Sequence, residues 1–190
     1  MKTLSQSVKL HTDEVIDSLQ EREFLVFLCG PSMKGIDGSE SPSRSSAILR
    51  HKLKSALEDN GFTVCLGEDE GLEELRSDCG YDAQTSEYLF LKRIHALVLI
   101  AETDGTFAEL GLFSGHRAEN ENYDFILVIN KTYETGNSYI KNGPVKIVEN
   151  IGKVYFDDLT NSECYDNIIA DVIERLRTRR GLLLVRKKSK

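Results

Sequence analysis

No apolar run in this 190-residue chain approaches the roughly 20 residues that a membrane-spanning helix requires. Met1 to Lys9 has no apolar core of the kind a secretory signal carries. No membrane association and a cytoplasmic location are therefore expected. Cysteine is scarce and unpaired in pattern: Cys29, Cys65, Cys79 and Cys164 form no CxxC and have no metal-ligand spacing. A disulfide framework and a metal site are both unexpected, and no cofactor is called for. Neither the P-loop nor the GxGxxG fingerprint occurs. There is no internal repeat and no low-complexity stretch.

What is present describes an ordinary globular chain. Hydrophobic residues make up 40% and charged residues 29%, which suits one domain with a full core. The net charge of −7 hides an asymmetry. Residues 175–190 hold eight cations and no acid, so this segment carries +8 and the rest −15. The body should repel nucleic acid, and the segment Arg175 to Lys190 should attract it. We expect a single domain over 1–178, with a helix at 12–22 packed on it, and a basic C-terminal tail over 179–190.

Along the chain, apolar runs of strand length alternate with helical spacing. Thr12 to Arg22 reads as a short amphipathic helix, and Phe24 to Cys29 as a strand. Gly30 to Ser43 reads as a loop, and Arg44 to Asn60 as a helix stopped by Asn60-Gly61. Phe62 to Leu66 is the second strand, followed by an acidic loop over Gly67 to Gly80. A helix over Asp82 to Arg93 leads into strand His95 to Ala101. Thr106 to Arg117 is the next helix and Asp124 to Asn130 the fourth strand. Tyr139 to Asn150 reads as a short helix interrupted at Gly143-Pro144. Lys153 to Phe156 makes a fifth strand, and Ser162 to Arg179 a closing helix. Wholly apolar strands alternating with helices predict an α/β, flavodoxin-like (Rossmann-like) three-layer sandwich. Its parallel sheet of about five strands should run in the order 2-1-3-4-5.

In that order the loop after strand one faces the turn after strand three across one crevice, the usual ligand position in open α/β sheets. The first loop offers Cys29, Gly30, Pro31 and Ser32. Gly30 permits close backbone approach, and Ser32 with nearby N–H groups suits a phosphate or a ribose hydroxyl; an ordinary strand-to-helix turn is the alternative. The second turn offers Asp104, Gly105, Thr106 and Glu109. Thr106-Phe-Ala-Glu109 fits a capping box, in which Glu109 would only bond the N-cap amide. At the end of a strand, the same carboxylate can instead reach a bound sugar. Asp104 either orients ribose hydroxyls or fixes the turn. His116 lies on the Glu109 face of the same helix, about 10 Å along its axis, and suits either an acid or a partner of the helix dipole. His11, His51 and His95 suggest no role.

Asp104-Gly-Thr-Phe-Ala-Glu-Leu-Gly111 resembles the glutamate motif of nucleoside 2-deoxyribosyltransferase-like proteins. Val26-Phe-Leu-Cys-Gly30, Leu49-Arg-His-Lys-Leu53, Glu68-Asp69 and Asn142-Gly-Pro-Val145 are similar to segments of the effectors of bacterial retron anti-phage systems. Together these segments span about residues 24–156. The resemblance implies an N-glycosidase in which Glu109 is the nucleophile at the anomeric carbon of a ribosyl group. It also implies an acid near the nucleobase, at the place Glu87 occupies; a solvated helix face is the other reading of Glu87. A small-molecule nucleotide such as NAD would be the substrate and a homo-oligomer the active unit. A toxic effector of phage defence would be the setting.

The longer loops over Gly30–Ser43 and Glu68–Gly80 depart from the compact site of the transferases. The basic segment Arg175 to Lys190 either finishes a helix with a soluble end or holds nucleic acid or a reverse transcriptase partner. Two other functions remain open. One is a deoxyribosyltransferase or nucleotide N-hydrolase of salvage metabolism; the other is a nucleotide-sensing module without catalysis.

Overall fold

The structure, a computed structural model, describes residues 23–34, 45–68, 77, 80–119 and 123–188. Its strands are β1 Leu25–Cys29, β2 Thr63–Cys65, β3 Ala96–Ala101, β4 Asp124–Asn130 and β5 Lys153–Asp157. They form one parallel sheet in the order β2-β1-β3-β4-β5, the expected doubly wound arrangement. Register brings Cys29 beside Leu99 and Ala101 beside Ile129. Every residue of β3 is buried, because this central strand has neighbours on both edges and helices on both faces.

The side-chain alternation of each strand sorts two cores. Val26, Leu28, Val98, Ile100, Ile126 and Val128 face helices α1 (Ser45–Asp59) and α5 (Tyr165–Lys188). Phe27, Cys29, Leu97, Leu99, Leu127 and Ile129 face the other layer. That layer contains α2 (Ala83–Phe90), α3 (Asp104–Glu119) and α4 (Lys146–Ile151). The Asn60-Gly61 stop is a Schellman turn. Gly61 sits at φ +71°, its N–H donates to the Glu58 carbonyl, and the Phe62 N–H donates to Leu57.

Two elements differ from the sequence reading. The helix expected to break at Gly143-Pro144 continues through a wide π-type turn over Lys141–Val145 into α4. The widened turn accommodates a proline that has no N–H and whose ring crowds the preceding carbonyls. The closing helix runs to Lys188 rather than ending near Arg179, so the basic segment is largely helical. Gly181 does not stop it, because Leu183 continues the stripe of Val172 and Leu176 into the core. The proposed 12–22 helix, His11, Cys79, residues 35–43 of the first loop and residues 69–76 of the acidic loop lie outside the described residues.

Several arginines of α5 are used within the domain. Arg175 grips Asp124, at the start of β4, through two hydrogen bonds of 2.7 Å. Arg177 bonds the Asn60 side chain. Arg180 donates to the carbonyls of Asn60 and Gly61 and lies 4.4 Å over the Phe62 ring. The contacts of Arg177 and Arg180 clamp α5 to the α1–β2 corner, and that of Arg175 ties it to β4. Among the described residues no helix is long and apolar enough to cross a membrane.

The Arg175–Asp124 pair yields a stability prediction. Arg175→Met leaves the Asp124 carboxylate, only 8% exposed, without its cation. Breaking a buried pair costs about 3–5 kcal/mol, and the one-third exposure of Arg175 reduces this to roughly 2–3 kcal/mol. Urea denaturation should show that loss, and the Asp124→Asn/Arg175→Met double variant should recover most of it.

Candidate functional site

The crevice expected from the strand order falls at the carboxyl ends of β1 and β3, where Cys29 pairs with Leu99 and Gly30 approaches Ile100. The turn after β2 and the helix α2 add Glu68 and Glu87 to it. The carboxylate of Glu109 is the centre of this region. Its Oε2 is buried and has no hydrogen-bond partner among the described residues. Burial raises its pKa from 4.5 to about 7; Glu87 and Glu68 push in the same direction and Arg50 opposes them. Near neutral pH the group is therefore divided between its acid and its base.

Glu109 does not cap α3. The helix begins at Asp104, two residues earlier than the spacing suggested, and Thr103 is its cap. Thr103 Oγ1 accepts from the Thr106 N–H at 3.2 Å, and Thr106 Oγ1 accepts from the Thr103 N–H at 2.8 Å. Thr106 thus fills the place that a capping box gives to glutamate. Its hydroxyl also accepts from the Glu102 N–H and donates to the Thr103 carbonyl, which leaves it fully engaged. Glu109 is one turn further along, on the flank of α3 that also carries His116.

Arg50 is the feature that the sequence reading gave no role. It sits in the apolar stripe of α1 between Ala47 and Leu53 and is 2% exposed. Its guanidinium donates to the carbonyls of Leu28 at 2.9 Å and Pro31 at 3.2 Å. It also holds both carboxylate oxygens of Glu68, at 2.8 and 2.9 Å. A charged residue within an otherwise apolar stripe was the available signal. Ser46, one turn earlier on α1, bonds the Glu102 carboxylate just past β3. Together these contacts fasten the helix to the mouth of the crevice.

The other expected site residues vary in placement. A methyl group on Gly30 would lie 3.1 Å from Arg50 Cδ and 3.2 Å from Ile100 Cβ, so the close approach that glycine permits is by Arg50 and the sheet. Pro31 is buried beside the same guanidinium. Cys29 is buried in the layer of α2 and α3, and burial followed by Glu109 and Glu87 keeps it a thiol. Ser32 is exposed, and its hydroxyl accepts from the Lys34 N–H at 3.3 Å. Glu87 is half-buried on α2; a methyl group on Gly67 would come within 3.4 Å of its Oε1. Asp104 and Gly105 are exposed in the first turn of α3.

His116 and His95 are accounted for by packing, and His51 is exposed on α1. His116 is buried, with Nδ1 3.1 Å from the Tyr123 hydroxyl and its ring against Tyr88, and burial lowers its pKa. His95 accepts the Leu25 N–H at 3.0 Å and stacks on Phe24. Among the described residues no cluster of His, Cys, Asp or Glu could hold a metal ion. A groove of about 500 Å³ between β5 and α5 lies at the other end of the strands, where Arg175 and Asp124 satisfy each other.

Residues 46–190 match a family model described as STM3845 retron effector protein. The matched span contains Arg50, Glu68, Glu87 and Glu109 and omits β1 with its loop. No curated protein matches the chain.

The raised pKa of Glu109 predicts a pH-dependent stability. Between pH 4.5 and about 7 the folded state binds more protons than the unfolded state, so stability falls as pH rises. Glu109→Gln removes that penalty. Thermal melts should coincide for wild type and variant at pH 4. At pH 8 the variant should be more stable, by on the order of 3 kcal/mol for the full shift.

Proposed function

The chain belongs to the STM3845 retron effector family, and from that premise we propose that it is an N-glycosidase whose nucleophile is Glu109. Membership supports a role in anti-phage retron defence. The proposed chemistry is cleavage of the base–ribose bond of NAD or a related nucleotide, which would make the protein toxic by depleting a metabolite. The observation that carries this reading is the Glu109 carboxylate: buried, lacking a partner at Oε2 and poised at about 7 at the end of β3. The likeness of Asp104 to Gly111 to the nucleoside 2-deoxyribosyltransferase motif points the same way.

In the proposed reaction a Glu109 oxygen bonds to C1′ as the C1′–N bond breaks, and the bonding electron pair leaves with the base. A cationic base such as nicotinamide departs neutral and needs no proton. The buried carboxylate stabilises the oxocarbenium character of the transition state before the covalent ester forms. Water then attacks C1′, gives its proton to a neighbouring carboxylate and releases Glu109. Glu87, close enough to raise the Glu109 pKa, is the residue we assign to that proton. If a second base replaced water, the same intermediate would give deoxyribosyl or ribosyl transfer.

The test is a time course of the purified protein with NAD, nucleosides and nucleoside monophosphates, followed by chromatography of the free base. Wild type should release base, and Glu109→Gln should do so roughly 10³-fold more slowly or worse while keeping its fold. Because the nucleophile must be ionised, the wild-type rate should rise with pH to a plateau, with its midpoint near the Glu109 pKa of about 7. A rate that falls across that range would make Glu109 an acid and overturn the nucleophile assignment. Equal release by wild type and variant would overturn Glu109 altogether.

A further inference from the structure

The crevice is rich in carboxylates, and the cation built into its floor already has an occupant. Arg50 donates through Nη2 to the Leu28 carbonyl and through Nη1 to the Pro31 carbonyl, and these bonds fix it to the end of β1. The same guanidinium holds the Glu68 carboxylate in a two-point grip. The exposures of the partners differ sharply: the Arg50 side chain is 2% accessible and that of Glu68 is 48%. Arg50 is therefore a fixed half-site, while Glu68 covers it from the solvent side, at the edge of the turn after β2. A planar two-point grip on a carboxylate also fits two oxygens of a phosphate.

The geometry points to an exchange site, in which the phosphate of a nucleotide displaces the Glu68 carboxylate from Arg50 and so enters the crevice. Glu68 acts as an internal stand-in for the ligand's anion. It keeps a buried guanidinium paired while the site is empty, which avoids the cost of an uncompensated buried charge. It also makes entry selective. A neutral nucleoside gains nothing from Arg50, whereas a phosphorylated one recovers the pairing that Glu68 gives up. This inference rests on the crevice being the ligand site and deepens that reading by assigning the residues that receive the nucleotide's phosphate.

Binding can be tested apart from turnover by using the full chain in a Glu109→Gln background. Calorimetric titration with adenosine monophosphate and with adenosine compares a charged ligand with its neutral counterpart. Adding Glu68→Gln should tighten adenosine monophosphate binding at least tenfold and leave adenosine unchanged. Glu87→Gln removes an equal charge from the same crevice without uncovering Arg50, so it should change the ratio by less than threefold.

Equal gains from Glu68→Gln and Glu87→Gln would reduce the effect to the general field and overturn the exchange. No gain from Glu68→Gln, or no preference of that variant for the phosphorylated ligand, would overturn it as well. Inorganic phosphate that gained as much as the nucleotide and bound as tightly would overturn the nucleotide assignment. Base release that occurs without any Glu68 effect removes this inference and leaves the N-glycosidase reading intact. A Glu68-dependent phosphate preference in a protein that releases no base does the reverse.

Discussion

A carboxylate at the dry end of a parallel sheet must be neutralised, solvated or paired, and Glu109 is only partly supplied with any of these. Burial and the charges of Glu87 and Glu68 drive it toward the acid form, while Arg50 alone draws it toward the carboxylate. The surrounding details follow from keeping that cation in place. Arg50 needs the carbonyls of Leu28 and Pro31 and the Glu68 carboxylate. Gly30 is small because the guanidinium stem and Ile100 occupy the space a side chain would take. What the sequence suggested was room for a ligand is first of all room for an arginine.

The start of α3 shows how one local contest decides whether Glu109 is available. Two overlapping patterns, Thr103 to Thr106 and Thr106 to Glu109, could each begin the helix. Beginning early places Gly105 inside the first turn, at a cost of up to about 1 kcal/mol relative to alanine. In return, the two threonine hydroxyls satisfy the N–H groups of Glu102, Thr103 and Thr106 and the Thr103 carbonyl. Those bonds outweigh the glycine. Had the later pattern won, the glutamate would have been spent on a backbone amide.

The strands were legible because the sheet is covered on both sides: Ala96 to Ala101 can satisfy its neighbours only by being apolar throughout. Strand order followed from the parallel alternation, and with it the position of Glu109. The pairings that complete the crevice were not legible, since Arg50 and Glu68 meet only after α1 and β2 have packed. The end of α5 was hidden for a related reason. Gly181 and the surrounding cations look like a fraying end, but the apolar run Leu182 to Val185 asks for a packing surface, and Leu183 finds it on the core. The same holds for the basic segment: a run of arginines suggests a phosphate-binding surface, yet Arg175, Arg177 and Arg180 hold their own fold together.

The sign of the crevice field bears on which base the proposed reaction would favour. As the glycosidic bond to a pyridinium-like base breaks, positive charge moves from the base ring onto the sugar carbon. A carboxylate beside that carbon gains attraction as the transition state forms, so its stabilisation is differential rather than uniform. A neutral purine or pyrimidine needs a proton as it leaves. With Glu109 committed as the nucleophile, that proton would have to come from another acid of the crevice, such as Glu87 or Glu68. The same acidic field repels phosphate, and Arg50 is the buried cation of the crevice that can offset that repulsion. A cationic base with a phosphorylated sugar satisfies both demands at once, one charge stabilised by the glutamates and the other by the arginine.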